Sequence, residues 1–94
     1  MNFRHTILLV DQDPAIRGLM ATRLGQLGYR IAEAESPDAA RDAAARELPA
    51  MILVDRGFPG NGHQAHAIVA SLKSDPRVAH IPVLMTTARA PSAS

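Results

Sequence analysis

The chain has 94 residues, which is the size of one small domain and allows a thin hydrophobic core. Apolar residues make up 47% of it, ten basic residues stand against nine acidic ones, and cysteine is absent. This composition excludes a disulfide scaffold and thiol catalysis, and its near-zero net charge gives no field that would attract nucleic acid or a membrane. The first apolar run, residues 7–10, is too short for a signal peptide, so we expect a cytoplasmic location.

Three short apolar runs predict strands that are buried on both faces. They are the first predicted strand at residues 7–10 (ILLV), the third at 51–54 (MILV) and the fourth at 81–85 (IPVLM). The second predicted strand, residues 29–34, is more polar and is expected nearer an edge of the sheet.

Helical stretches separate these strands. Asp13-Pro14 and Ser36-Pro37 are each typical of an N-cap followed by the first helical residue. Apolar residues then follow at helical spacing, and the predicted helices cover residues 14–27, closed by Gly28, then 37–48 and 62–73. Strands alternating with helices predict an open parallel α/β sheet.

Polar residues follow three of the predicted strands. In an open parallel sheet, ligands bind outside the carboxyl ends of the strands, where the strand order reverses. If the first strand is central, its end meets the ends of the third and fourth strands, which brings together Asp11, Gln12, Asp13, Asp55, Thr86 and Thr87. Carboxylate oxygens suit Mg²⁺, which joins carboxylates to phosphate oxygens. The pattern therefore favours metal-assisted phosphoryl transfer to an aspartate.

Three segments carry a resemblance to a known family. ILLVDQDPAIR, ILVDRGFPGNG and DPRVAHIPVLMTTARA resemble the corresponding parts of bacterial response-regulator receiver domains, in register over residues 6–90. The resemblance implies a flavodoxin-like parallel sheet with strand order 2-1-3-4 and helices on both faces. It also implies that residues 1–90 are a receiver domain that lacks its fifth strand. Residues 91–94 are small and polar, so we expect them to be a flexible tail.

The resemblance assigns roles to five residues. Asp55 corresponds to the phosphoacceptor, and Thr87 to the hydroxyl residue that contacts the phosphoryl group. Asp11, Asp55 and the backbone carbonyl of Gly57 correspond to Mg²⁺ ligands. Gln12 stands at a further ligand position.

The sequence departs from the family pattern in three places. Gln12 replaces a carboxylate, so one negative charge of attraction for Mg²⁺ is lost. The loop after Asp55 is one residue shorter than is usual. The family's lysine at the end of a fifth strand has no counterpart, because the one lysine, Lys73, lies in the third predicted helix.

Several residues allow a second interpretation. Asp13 is expected to be an N-cap rather than a metal ligand. Asp55 could be a turn residue rather than a phosphoacceptor, and Thr87 could be an ordinary β-branched strand residue. His63 and His66, three residues apart, are expected on a solvated helix face because no third metal ligand has suitable spacing.

The function implied by the resemblance is that of a switch in two-component signalling. A sensor histidine kinase or phosphotransfer protein would donate the phosphoryl group, and an output domain or partner protein would read the result. The domain would catalyse only its own phosphorylation and dephosphorylation. The alternative, favoured by Gln12, is a degenerate receiver that acts purely as a protein-interaction module. An unpaired fourth strand also predicts a homodimer, through that strand or an exchanged element.

Overall fold

The computed structural model describes residues 5–55 and 63–86. Its elements in chain order are β1 (Thr6–Val10), α1 (Pro14–Gln26), β2 (Arg30–Ala34), α2 (Pro37–Glu47), β3 (Met51–Asp55), α3 (His63–Lys73) and β4 (Val83–Thr86). The strands form one parallel sheet in the order β2-β1-β3-β4, which confirms the predicted architecture and strand order. In the part of the chain described, no helix is long and apolar enough to cross a bilayer.

Both predicted helix starts are confirmed. The Asp13 carboxylate accepts hydrogen bonds from the backbone N–H groups of Ala15 and Ile16, at 2.9 and 3.4 Å. The Ser36 hydroxyl oxygen accepts one from the N–H of Ala39 at 3.1 Å. Each cap satisfies amide groups that have no partner within the first helical turn.

The end of α1 explains why β2 begins one residue later than predicted. Gly28 has a φ of 97°, a conformation that glycine adopts without steric cost. This lets the N–H of Gly28 donate to the carbonyl of Gly25, and the N–H of Tyr29 to that of Leu24, which closes the helix. Tyr29 therefore belongs to the helix-ending turn, and the strand begins at Arg30.

The fourth strand is shifted relative to its prediction. It covers Val83–Thr86, because Ile81 donates its N–H to the Val78 carbonyl in the preceding turn and Pro82 has no N–H to donate. Thr86, which we expected in the following loop, is a strand residue paired with Asp55.

One face of the sheet, which we call the packed face, holds the hydrophobic core. Its residues are at most 5% exposed and comprise Leu8, Val10, Ala34, Ile52 and Val54. They pack with the buried residues of α2 and α3, namely Ala40, Ala43, Ala44, Ala65, Ile68 and Leu72. The small alanine side chains of α2 let that helix approach the sheet closely.

The opposite face, which we call the α1 face, is covered less completely. Ile7 and Leu9 are buried at its centre, but Leu53 is only half-buried and Leu84 is 53% exposed. Helix α1 contacts β1 and β2 on this side and contributes no fully buried residue. Side chains alternate between the two faces along each strand, so Asp55, two residues after Leu53, belongs to the α1 face.

Candidate functional site

Three predicted site residues meet at the carboxyl edge of the sheet. Asp11 follows β1, Asp55 ends β3, and Thr86 ends β4 directly beside Asp55. An open cleft of about 180 Å³ lies here, lined by Leu9, Val10, Asp11, Arg17, Met20, Leu53, Asp55 and Thr86. The cleft opens to solvent, and two aspartates and one threonine are among the residues that line it.

Asp11 has one free oxygen at the edge of this cleft. The residue is 4% exposed, and its Oδ1 accepts a hydrogen bond from the N–H of Asp13 at 2.9 Å. Its Oδ2 is buried and has no hydrogen-bond partner among the described residues. A buried carboxylate oxygen without a partner is costly, so this atom is suited to receive a cation or a donor from a ligand.

The surroundings of Asp11 raise the pKa of its carboxyl group above the ordinary value. Burial is the largest cause, because it disfavours the charged form. The hydrogen bond from the Asp13 amide opposes it, the negative charges of Asp55 and Asp13 add to it, and the Arg17 charge opposes it. A dication bound between these carboxylates would remove the repulsion that contributes to the shift.

The residues present fit a Mg²⁺ ion of the usual kind. Mg²⁺ commonly takes one or two carboxylates and keeps several waters, so Asp11 and Asp55 are a sufficient pair of charged ligands. Within residues 5–55 and 63–86, no group of three or more His, Cys, Asp or Glu side chains is placed to hold a metal ion. Gln12 is exposed beside Asp11, where its amide oxygen is a neutral donor.

Of the other residues considered from the sequence, two make structural contacts and two lie outside the described residues. Asp13 is an N-cap whose Oδ1 is already used by two backbone amides, as its Asp-Pro context indicated. Lys73 donates from Nζ to the carbonyl of Ile81 at 2.8 Å, so it holds the segment before β4. Gly57 and Thr87 lie outside the described residues, and their roles stay predictions.

Arg17 is a site residue that our reading of the sequence missed. Its guanidinium lines the cleft, although we assigned it no role within the ILLVDQDPAIR segment. It donates from Nη1 to the backbone carbonyl of Asp11 at 2.7 Å and from Nε to Glu33 Oε1 at 2.9 Å. The available signal was a basic residue one turn into a helix that begins at an acidic loop.

Comparisons with known proteins identify the family of this fold. A family model described as the response regulator receiver domain matches residues 7–94. The phosphate regulon transcriptional regulatory protein PhoB of Pseudomonas aeruginosa is 34% identical over 84 residues, which cover 89% of this chain and 36% of PhoB. The response regulator PleD of Caulobacter vibrioides is 37% identical over 82 residues, covering 87% of this chain and 18% of PleD.

Solved structures show the same fold. The N-terminal domain of a response regulator receiver protein from Methanoculleus marisnigri superimposes with a TM-score of 0.78 at 34% identity, covering 94% of this chain and 70% of that one. The chemotaxis protein CheY4 of Vibrio cholerae, at 22% identity, shares the fold with a TM-score of 0.80.

The chain thus spans about a third of the length of PhoB and about a fifth of that of PleD. Family match, sequence identity and fold agree: this chain belongs to the response regulator receiver domain family.

Proposed function

We propose that this receiver domain takes a phosphoryl group onto Asp55 from a sensor histidine kinase or phosphotransfer protein, with Mg²⁺ in the cleft. The modified domain then presents an altered surface to an output domain or partner protein. The observation that carries the proposal is the buried Oδ2 of Asp11, which has no hydrogen-bond partner in the described part of the chain and lies at the cleft that Asp55 also lines.

In the proposed reaction, a carboxylate oxygen of Asp55 attacks the phosphorus of the donor's phosphohistidine. One P–O bond forms as the P–N bond breaks, and the released imidazole takes up a proton. Asp11 and Asp55 would hold Mg²⁺, together with Gly57 through its carbonyl and Gln12 through its amide oxygen. The ion supplies positive charge that offsets the negative charge of the transferring group.

Two successive residues, Thr86 and Thr87, could supply a hydroxyl group to the phosphoryl group. The family resemblance favours Thr87 as the residue that contacts the phosphoryl group. Thr86 is paired with Asp55 in the sheet and lines the cleft, so we propose its hydroxyl as a second candidate donor. Hydrogen bonds from such donors stabilise the added negative charge.

A second candidate function is a receiver that binds partners without being phosphorylated. The neutral, exposed side chain of Gln12 favours it, since a site with one carboxylate fewer attracts Mg²⁺ less strongly. The two functions differ in whether Asp55 reacts.

We also propose that the 94-residue chain forms a homodimer, through β4 or an exchanged element. Among the described strands, β4 is an edge of the sheet, and Leu84 on it is 53% exposed. An edge strand with free backbone donors and acceptors is a template for pairing with a second copy.

The experiment that tests phosphorylation is incubation with acetyl phosphate and Mg²⁺ followed by intact-mass measurement. We expect one base-labile phosphoryl group on the wild-type chain and none on Asp55→Asn. The matched control is Asp42→Asn, which alters an exposed carboxylate on α2 and should be modified like wild type. Labelling that persists in Asp55→Asn would contradict the assignment, and an unmodified wild type would favour the interaction module.

A further inference from the structure

Arg17 links three parts of the molecule. It belongs to the second turn of α1, and its guanidinium donates to the backbone carbonyl of Asp11, after β1, and to the carboxylate of Glu33, on β2. The Arg17 side chain is only 16% exposed. Arginine suits this contact because its planar fork carries several donors in fixed directions, whereas lysine has a single flexible ammonium group.

The contact completes a set of hydrogen bonds around Asp11. The N–H of Asp11 donates to the Ala34 carbonyl at 3.0 Å, its carbonyl accepts from Arg17, and its Oδ1 accepts from the Asp13 amide. Oδ2 is the polar atom of Asp11 left without a partner among the described residues. The backbone is therefore held on both sides, and one carboxylate oxygen stays available to a ligand.

Glu33 offsets the positive charge that Arg17 places near the cleft. A guanidinium lining a cleft repels a dication that binds there, so a free arginine would weaken a Mg²⁺ site. The ion pair with Glu33, at 2.9 Å, offsets this positive charge and fixes the direction of the fork.

Packing alone does not fix α1 near the site. Helix α1 has no fully buried residue, so its position on the sheet depends less on core packing than that of α2 or α3. Among the described side chains of α1, Arg17 is the one that hydrogen-bonds to the sheet and to the loop after β1. Loss of this contact would release both the helix and the Asp11 backbone.

We propose that Arg17 and Glu33 form a positioning clamp that orients Asp11 for Mg²⁺ binding. The inference rests on the proposed function, since it concerns the same metal site. Arg17 is a positioning residue, because it acts through the Asp11 backbone rather than on the phosphoryl group. Groups that orient a metal ligand commonly change metal affinity by about 10–100-fold when they are replaced.

The test depends on whether Arg17→Met strengthens or weakens Mg²⁺ binding. If Arg17 acted only as a charge, Arg17→Met would remove repulsion and tighten Mg²⁺ binding. If it positions Asp11, the same substitution weakens binding, by about tenfold. Arg17→Lys keeps the charge but cannot span both acceptors, so it should also weaken binding. The matched control is Arg23→Met, which removes a positive charge from an exposed position of the same helix and should change the affinity by less than about twofold.

The measurement is a titration with MgCl₂ followed by amide NMR of the 94-residue chain, together with hydrogen exchange of the Asp13 amide without metal. The exchange readout reports the Asp13-to-Asp11 hydrogen bond independently of Mg²⁺. We expect faster exchange in Arg17→Met and Arg17→Lys than in wild type or Arg23→Met. Unchanged strand resonances in these variants would show that the fold is retained.

The outcomes separate the clamp from the proposed function. Mg²⁺ affinity that is equal or tighter in Arg17→Met than in wild type overturns the clamp. If wild type itself binds no Mg²⁺, the proposed role of Mg²⁺ is wrong, and the clamp is tested by hydrogen exchange of the Asp13 amide alone. Faster exchange confined to the Arg17 variants then supports the clamp, whereas unchanged exchange overturns it.

Discussion

The two faces of the sheet differ in how completely they are packed. On the packed face, Leu8, Ile52 and Val54 are fully buried beneath α2 and α3. On the α1 face, only the centre is buried, and exposure rises across the sheet to Leu84 on β4. The candidate site lies at the carboxyl end of this second face, since its cleft is lined by Leu9, Leu53 and Asp55.

The difference separates two tasks. The packed face supplies the burial of apolar area on which stability depends, at about 25 cal/mol per Å². The α1 face holds the polar clamp and the buried carboxylate of Asp11, and the carboxylate oxygen without a partner among the described residues costs stability unless a ligand is bound. A switch needs a region that can change at low energetic cost, and loosely packed segments are of this kind.

Neighbouring residues of β3 test the contrast directly. Ile52 points to the packed face and Leu53 to the α1 face, and the two differ in burial. Ile52→Ala should lower the free energy of unfolding by about 2–5 kcal/mol, and Leu53→Ala by about 1–2 kcal/mol, because a half-buried side chain loses less on truncation. Urea denaturation of the two variants measures this, and equal losses would contradict the difference between the faces.

A carboxylate at position 12 should strengthen Mg²⁺ binding but destabilise the metal-free protein. Gln12→Asp adds a negative charge near the dication. Two opposite unit charges about 4 Å apart attract by on the order of 1–4 kcal/mol in effective dielectrics from that of water down to about 20, and a dication is attracted about twice as strongly. The same charge repels Asp11 and Asp55 when Mg²⁺ is absent, so the metal-free protein should become less stable. Isothermal titration with Mg²⁺ and thermal denaturation without it measure the two effects. Equal Mg²⁺ affinity in both proteins would show that Gln12 does not contact the metal.

Asp11 should make the metal-free protein less stable as pH rises. Its folded-state pKa is raised, chiefly by burial, so the folded protein binds more protons than the unfolded chain above the unfolded value of about 3.9. Stability therefore falls as pH increases through the window from the unfolded to the folded pKa, and stays lower above it. Asp11→Asn should remove this fall and stabilise the metal-free protein at neutral pH, as measured by urea denaturation from pH 4 upward. A variant as pH-dependent as wild type would contradict the assignment, and Mg²⁺ should stabilise wild type but not the variant.

Leu84 tests the open part of the α1 face. If β4 mediates dimer formation, Leu84→Lys should shift the chain toward monomer at micromolar concentration and change stability by less than about 0.5 kcal/mol, because the site is exposed. The control is Leu27→Lys, which adds the same charge at a 74% exposed position at the end of α1. Sedimentation velocity measures the change. A monomeric wild type, or equal shifts in both variants, would exclude pairing through β4.

The buried strands and two helix starts could be predicted from sequence because their signals are local. Uninterrupted apolar runs marked β1 and β3, and the pairs Asp13-Pro14 and Ser36-Pro37 marked two helix starts that the structure confirms. The ends of elements were less accurate. Tyr29 and Ile81 were assigned to strands, whereas hydrogen bonds within the preceding turns exclude both.

The asymmetry of the two faces could not be predicted in this way. Helical spacing predicted a helix over residues 14–27, but spacing does not tell how deeply a side chain is buried, and Leu27 is 74% exposed. The clamp was missed for a similar reason. Arg17 and Glu33 are 16 residues apart and meet only once β1 and β2 pair in the observed register.

The most direct test of the account is hydrogen exchange with Mg²⁺ and beryllium fluoride, an analogue of a phosphoryl group on aspartate. We expect slower exchange in residues 11–17 and at the end of β3, where the cleft lies, and no change in α2 around Ala40–Ala44. The same ligands should leave Asp55→Asn unchanged. Exchange that stays unaltered in residues 11–17 of wild type, or that slows equally on both faces of the sheet, would contradict the claim that the ligand acts through the α1 face.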